Sequence, residues 1–336
     1  MAEHVQLNPM ASGALDTTAA LNAVEADKAA RGENLASLNK MLQWSTANSS
    51  TTTNGKSEAV DEKTFKEKVN DREWMEQLFP DMFGPVKALV AVLNDSNTSA
   101  EKKVEVLEAL EDYMQDMNYA VNVDKLGALD PVLALARDEG NEDVRVNALW
   151  VLGTCLQDLE EVKKTFVEKD GCTVLVDGLK CSECARVRAK AVMAISALLR
   201  NTSNNIRKRY FEIDGSKSKF LDCLFDENGN VQRRALFFLE NCATNGNSWF
   251  AQEVFQDQST FERLTQELES VDVRDATSLL EPLIGSFTGL ADVNLSTVKQ
   301  SSASKSLQSI ASRLDETQSH TKQLIDVLNM RLSAVP

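Results

Sequence analysis

The chain has 336 residues, with 36 Lys and Arg against 51 Asp and Glu, for a formal net charge of −15. Apolar residues make up 43% and charged residues 26%, which suits a soluble globular chain with a sizeable core, and the acidic balance disfavours a nucleic-acid partner because it repels phosphates. Only 14 Gly and 6 Pro punctuate the sequence, too few for the turn-rich all-β and α/β classes, so helix is expected.

His4 and His320 are the two histidines and stand near opposite ends. No Ser-His-Asp or Cys-His pair and no His-based zinc site can then be assembled in the middle of the chain, and neither an enzyme nor a cofactor or metal is expected. No run approaches the roughly 20 apolar residues of a membrane span, so a membrane partner is not expected either. The six cysteines stand in apolar or helical contexts, which reads as a cytoplasmic protein, or also a nuclear one, with reduced thiols.

In chain order, residues 1–36 are Ala-, Asn- and Thr-rich and read as a disordered extension. Residues 37–50 form a short helical module in which Leu38, Met41, Leu42 and Trp44 share one face. A Thr/Ser/Asn-rich flexible linker over 51–70 follows. The helical pattern resumes near Asp71, and residues 71–292 read as one repeat array. Its anchors are Leu110, Leu152, Ile195, Leu239 and Leu280, spaced 42, 43, 44 and 41 residues apart. Four residues before each anchor stand Val106, Ala148, Ala191, Ala235 and Ala276, small enough for close helix contacts. Between the anchor helices, VKKTFVEKDG (162–171) matches IRKRYFEIDG (206–215), and VNVDKLG ends at Gly127 in the same place. Glycine at 127, 171 and 215 suits a tight turn with positive φ.

Three helices per forty-odd residues predict an all-α, right-handed armadillo-repeat solenoid. Stacked repeats build a continuous core and a long concave surface that one repeat cannot make alone. Pro282 is expected to interrupt the repeat pattern and kink the last repeat helix. Residues 293–306 read as a linker, and 307–333 as an amphipathic helix that caps the array.

The third helix of each unit is expected to line the concave surface. Positions five before, two after and five after each anchor fall on one helical stripe. The partner-binding candidates there are Gln115, Asn147, Thr154, Gln157, Lys190, Arg200, Arg234 and Asn241. Gly55-Lys56-Ser57 lacks the rest of a phosphate loop, and Cys181-Ser182-Glu183-Cys184 lacks a second CxxC, so both read as turn or linker.

Several stretches resemble one family, the armadillo-type nucleotide exchange factors of the 70-kDa heat-shock chaperone. LNKMLQWSTANSS (38–50) looks like the family's short N-terminal "LLQWSIANS" module. LEDYMQDMNYAVNVDKLGALDPVL resembles its acidic first repeat, and ALWVLGTCLQD and AISALLRN resemble its "IGTCxQN" and "AISxLxR" helices. The family's Asp-Asn-Ala-Asn run is here Met117 to Asn122, and the extension before Leu38 is longer than in the short members.

The resemblance implies a monomeric co-chaperone whose concave face embraces the chaperone's nucleotide-binding domain and promotes ADP release. Asn118, Ala120 and Asn122 join the contact residues on that basis, and Leu38, Met41, Leu42 and Trp44 become a module that helps release clients. The alternatives are a generic armadillo scaffold and an importin-like adaptor. Import adaptors carry an Asn ladder in the middle column, where this chain has Asp112, Thr154 and Ala197 beside Asn241.

Overall fold

The computed structural model describes residues 17–27, 29, 83–244, 252, 254, 256–270, 276–314 and 318–333. Every regular element among them is helical. The 37–50 module and the 51–70 linker lie outside the described residues. The chain divides into two compact units, Met1–Pro131 and Val132–Pro336.

In the first unit, helix α1 covers 17–27, followed by α2 (Gly84–Asn94), α3 (Ala100–Met114) and α4 (Met117–Ala120). Pro85 opens α2, where the N–H it lacks would have no helical acceptor anyway. Ser99 caps α3 by accepting the Lys102 N–H, and Val106, Leu107 and Leu110 form the buried stripe of that helix. The Tyr113 and Tyr119 rings meet at 5.1 Å, and Phe83 packs edge-on against Tyr119 at 5.6 Å. Helix α1 corrects the expectation of a disordered extension over 1–36. Thr17, Ala20 and Val24 recur at helical spacing and are buried, and Asp27 Oδ2 accepts the Tyr113 hydroxyl at 2.9 Å. Tertiary burial supplied what local periodicity did not announce.

Helix α5 (Leu129–Arg137) runs across the boundary between the units. The second unit then contains α6 (Glu142–Cys155), α7 (Glu160–Glu168), α8 (Gly171–Leu179), α9 (Ala185–Leu199), α10 (Asn204–Phe211) and α11 (Ser216–Asp222), the last continued by a 3₁₀ turn over Cys223–Phe225. Next come α12 (Gly229–Thr244), α13 (Gln258–Ser270), α14 (Ala276–Val293), α15 (Leu295–Gln300), α16 (Ala303–Arg313) and α17 (Ser319–Ser333). Helix α6 packs on α9, α9 on α12, α12 on α14 and α14 on α17, which makes a row of third helices. All five anchors are buried, as are Val106, Ala148, Ala191 and Ala235. A Cβ on Gly178 would stand 2.9 Å from that of Ala191, so the contact of α8 with α9 has no room for a side chain there.

Gly127 and Gly215 have φ of +72° and +75°, the left-handed turn expected of them. Gly171 differs. Asp170 takes the left-handed residue at +58°, and Gly171 begins α8, where a Cβ would come within 2.4 Å of the Phe166 ring. The glycine serves close packing there, not backbone freedom.

Towards the C-terminus, the expectations for 293–306 and 307–333 need correcting, while Pro282 stands inside the last repeat helix. Helix α14 continues through Pro282, with Leu280, Leu283, Ile284 and Phe287 buried along it. Ser286 Oγ donates within this segment to Pro282 O at 2.8 Å and also contacts Leu236 O on α12 at 2.9 Å. Packing on α12 outweighs the one helical hydrogen bond that proline forgoes. Residues 293–306 are not a linker, because α15 and the start of α16 occupy them; Asn294 caps α15, and Val298 and Ala303 are buried. The single capping helix expected over 307–333 is instead two, α16 and α17.

Candidate functional site

The row of third helices in the second unit opens into a cleft of about 210 Å³ beside α9 and α12. Gln157, Ala197, Arg200 and Arg234 line it, together with Met193, Phe237 and Asp158. Three of the candidates chosen from the repeat register, Gln157, Arg200 and Arg234, thus meet in one concavity. Helical periodicity explains the meeting on α12: Ala235, Leu236, Phe238 and Leu239 face the core, which leaves Arg234, Phe237 and Asn241 on the remaining side. Phe237 is 52% exposed, unusual for so large an apolar side chain.

The two arginines give the cleft its chemistry. The Nε atoms of Arg200 and Arg234 are both buried and have no hydrogen-bond partner among the described residues. Burial, and secondarily the charge of Arg233, pulls the Arg234 guanidinium below its ordinary pKa range, so its charged form is incompletely compensated. An unpaired buried donor is costly, and a carboxylate satisfies a guanidinium through two parallel hydrogen bonds. The cleft is therefore a cationic, partly apolar acceptor on a chain of net charge −15.

Neighbouring segments hold Arg200 in place. Lys163 on α7 is fully buried and donates from Nζ to the Arg200 carbonyl at 2.5 Å, where it closes the C-terminus of α9. Burial lowers the Lys163 pKa, and Asp158 and Glu160 oppose that shift. Asn201 adopts a left-handed φ of +45° and donates to Asp158 Oδ1 at 3.1 Å, and Asp158 itself is left-handed at +54°. The ends of α6 and α9 are thereby tied together one repeat apart. At the other end of α9, Arg188 forks onto Asp226, Nε to Oδ2 at 2.7 Å and Nη2 to Oδ1 at 2.8 Å.

The remaining candidates are placed differently. Asn147 and Thr154 are nearly covered, and Asn147 donates to the Asp143 carbonyl of its own helix, so the expectation that this part of the stripe faces solvent fails on α6. The flanking helix α9 lies on it, which one-helix periodicity could not show. Asn241 likewise donates to its own Phe237 carbonyl at 2.7 Å. Lys190 lies over the Trp150 ring, 3.6 Å from its centroid.

In the first unit, Gln115 is exposed and donates to Glu111, Asn118 is exposed and donates to Asp116, and Asn122 donates to the Asn118 carbonyl. Ala120 is buried and offers no surface, because α4 turns Tyr119 and Ala120 inward and leaves Met117 and Val121 outside. Leu38, Met41, Leu42 and Trp44 lie outside the described residues.

Sequence reasoning missed Met193, Asp158, Phe237 and the supporting Lys163. Phe237 was findable, since of the adjacent phenylalanines at 237 and 238 only one can face the core. Lys163 carries no such signal, because lysine at a helix position ordinarily reads as solvated.

Residues 38–123 match the family model described as nucleotide exchange factor Fes1. The chain is 28% identical over 193 residues to the Hsp70 nucleotide exchange factor FES1 of Saccharomyces cerevisiae, an alignment covering 56% of this chain and 62% of that protein. It is 30% identical over 170 residues to the FES1 of Candida glabrata, covering 49% and 55% of the two chains, and 27% identical over 228 residues to that of Eremothecium gossypii, covering 66% and 74%. The matches to the first two thus span a little over half of those relatives. Among solved structures, an engineered protein superposes with a TM-score of 0.61 at 19% identity, covering 74% of this chain and 99% of its own. A designed armadillo repeat protein in complex with the peptide (KR)4 superposes at 0.58 with 18% identity, covering 72% and 98%. The chain is therefore an all-α protein of armadillo fold whose sequence is similar to the Fes1-type Hsp70 nucleotide exchange factors.

Proposed function

We propose that this chain is a nucleotide exchange factor for a 70-kDa heat-shock chaperone, and a binding protein, not an enzyme. Its row of third helices forms the concave face that engages the chaperone's nucleotide-binding domain, with the Arg200–Arg234 cleft as a central contact. The observation that carries this reading is the pair of buried, unpartnered guanidinium nitrogens beside the exposed Phe237. An acidic side chain flanked by apolar surface on the partner fits both features. A basic peptide such as (KR)4, held by the designed neighbour, would be repelled here, and this counts against an importin-like adaptor.

The mechanism is linkage. A face that binds the open, ADP-releasing conformation more tightly than the closed one shifts the population toward opening. ADP must then weaken binding of this protein by the same factor by which the protein weakens ADP. A 100-fold effect needs about 2.7 kcal/mol of differential affinity. No bond is made or broken on the protein, so no catalytic group is required. The protein acts as a monomer in the cytoplasm, or also the nucleus, without nucleic acid, membrane or cofactor. The segment with Leu38, Met41, Leu42 and Trp44 occupies the chaperone's client site and speeds client release.

Release of a fluorescent ADP analogue from a purified 70-kDa chaperone, followed by stopped flow, tests the proposal. Saturating protein should accelerate release at least tenfold, and the Leu42→Ala/Trp44→Ala double variant should retain that acceleration while displacing less bound client peptide. Unchanged ADP release would leave an armadillo scaffold for some other acidic partner.

A further inference from the structure

Cys181 and Cys184 occupy the turn between α8 and α9, and Cys184 is the N-cap residue of the fifteen-residue helix α9. Both are partly exposed and line a second cleft, of about 400 Å³, beside Arg145 and Glu183. The two thiols stand three residues apart in this one turn and interact with each other. Arg188 holds the turn from beneath, donating through Nη1 to the carbonyls of Cys181 at 2.8 Å and Ser182 at 2.9 Å. The other described thiols differ. Cys155, Cys172 and Cys223 are buried, and burial pushes the thiols of Cys172 and Cys223 up to about 12. Access and proximity of two thiols coincide at this turn among the described residues.

We propose that Cys181 and Cys184 form a reversible dithiol–disulfide couple that exchanges with a low-molecular-weight disulfide of the glutathione type. A disulfide asks for Cβ atoms about 3.5–4.5 Å apart, which two cysteines three residues apart in one short turn and lining one cleft can reach by rotation of side chains and adjustment of the turn. In this couple Cys181 is the attacking sulfur and Cys184 the resolving one; the interaction with Cys181, ahead of burial, pushes the Cys184 thiol up to about 11.

The Cys181 thiolate attacks one sulfur of glutathione disulfide, forming a Cys181–glutathione bond and expelling glutathione thiolate, which takes up a proton. Cys184 then loses its proton to solvent and attacks the Cys181 sulfur. The Cys181–Cys184 bond forms, and a second glutathione leaves. Overall, two protein thiols and one glutathione disulfide become one protein disulfide and two glutathiones, which balances hydrogens and electrons. This couple does not depend on the exchange-factor reading.

Trypsin cuts after Lys180 and Arg186, so both sulfurs fall in the one peptide 181–186. The test incubates the folded full chain with excess glutathione disulfide, alkylates it, and digests it for mass spectrometry. The expected result is peptide 181–186 unalkylated and lighter than its reduced form by about 2 Da, with Cys155, Cys172 and Cys223 alkylated and dithiothreitol reversing the change. Cys184→Ser should accumulate a glutathione adduct on Cys181, and Cys181→Ser should accumulate at least tenfold less on Cys184. The proposal is overturned if peptide 181–186 stays fully alkylated, if the wild type stops at glutathione adducts, or if the lighter peptide forms only after urea unfolds the chain.

Discussion

Two seams in the row of third helices follow the same repeat register and end differently. Between α6 and α9 the contact is closed. Gly153 lets the helices approach until a Cβ there would stand 2.5 Å from Met193 Cε and 3.4 Å from Ala194 Cα. Asn147 and Thr154 are covered, and Lys190 is occupied by the Trp150 ring. Between α9 and α12 the corresponding surface opens into the Arg200–Arg234 cleft. At the opposite end of α9 from this cleft, a tether from Arg188 to Asp226 holds α9 to the segment that leads into α12. The repeat thus supplies equivalent positions, while residue size at the contact decides whether a position becomes core or site.

The largest expected effect lies on the open seam. Arg234→Ala should weaken chaperone binding by about 2–4 kcal/mol, or roughly 30- to 1000-fold in Kd, as removal of a central interfacial arginine does. The melting temperature should stay level or rise slightly, since a guanidinium with an unsatisfied buried Nε disappears. Calorimetric titration together with a thermal melt checks both, and wild-type affinity would show that Arg234 makes no contact with the partner.

Next is the tether. Burial alone would raise the Asp226 pKa, but hydrogen bonds from Arg188 and the Asn228 N–H, with the Arg188 charge, hold it below the usual carboxylate range. A depressed folded pKa means that the stabilisation is complete above the unfolded value of about 3.9 and is lost as pH falls through the folded one. Asp226→Ala should cost about 1.5–3 kcal/mol near neutrality. Urea melts of wild type and variant should then converge below about pH 4. A gap that persists undiminished at low pH would show that the loss is packing, not charge.

The closed seam offers the smallest and most graded test. Gly153→Leu overfills the contact and should cost about 1–3 kcal/mol in a urea melt. Gly153→Ala should cost much less, because the nearest atom it meets is the flexible end of Met193. Equal losses for the two variants would mean that the seam is limited by backbone and not by side-chain volume.

The repeat was legible because burial imposes a period. Leu110, Leu152, Ile195, Leu239 and Leu280 must all face inward, and their spacing of 41 to 44 residues writes the three-helix unit into the chain without reference to any neighbour. The same stripe, continued one step, picked out Gln157, Arg200 and Arg234. It failed for Asn147 and Thr154 because one helix's periodicity separates inside from outside but does not know which flank another helix covers. It failed for 293–306 because Ser- and Lys-rich segments have weak local preference, and α15 and α16 gain theirs by burying Val298, Ala303, Leu307 and Ile310.

What the amino-acid sequence determined by itself was the helical class, the forty-odd-residue unit and the core face of each third helix, since hydrophobic period is a property of the chain alone. Only tertiary structure decided that Pro282 stays helical, that Lys163 is buried as a helix cap, that Cys181 and Cys184 line one cleft, and that one seam closes while the next opens. Each of these depends on what a second element places beside the residue, and packing and desolvation then outweigh its local preference.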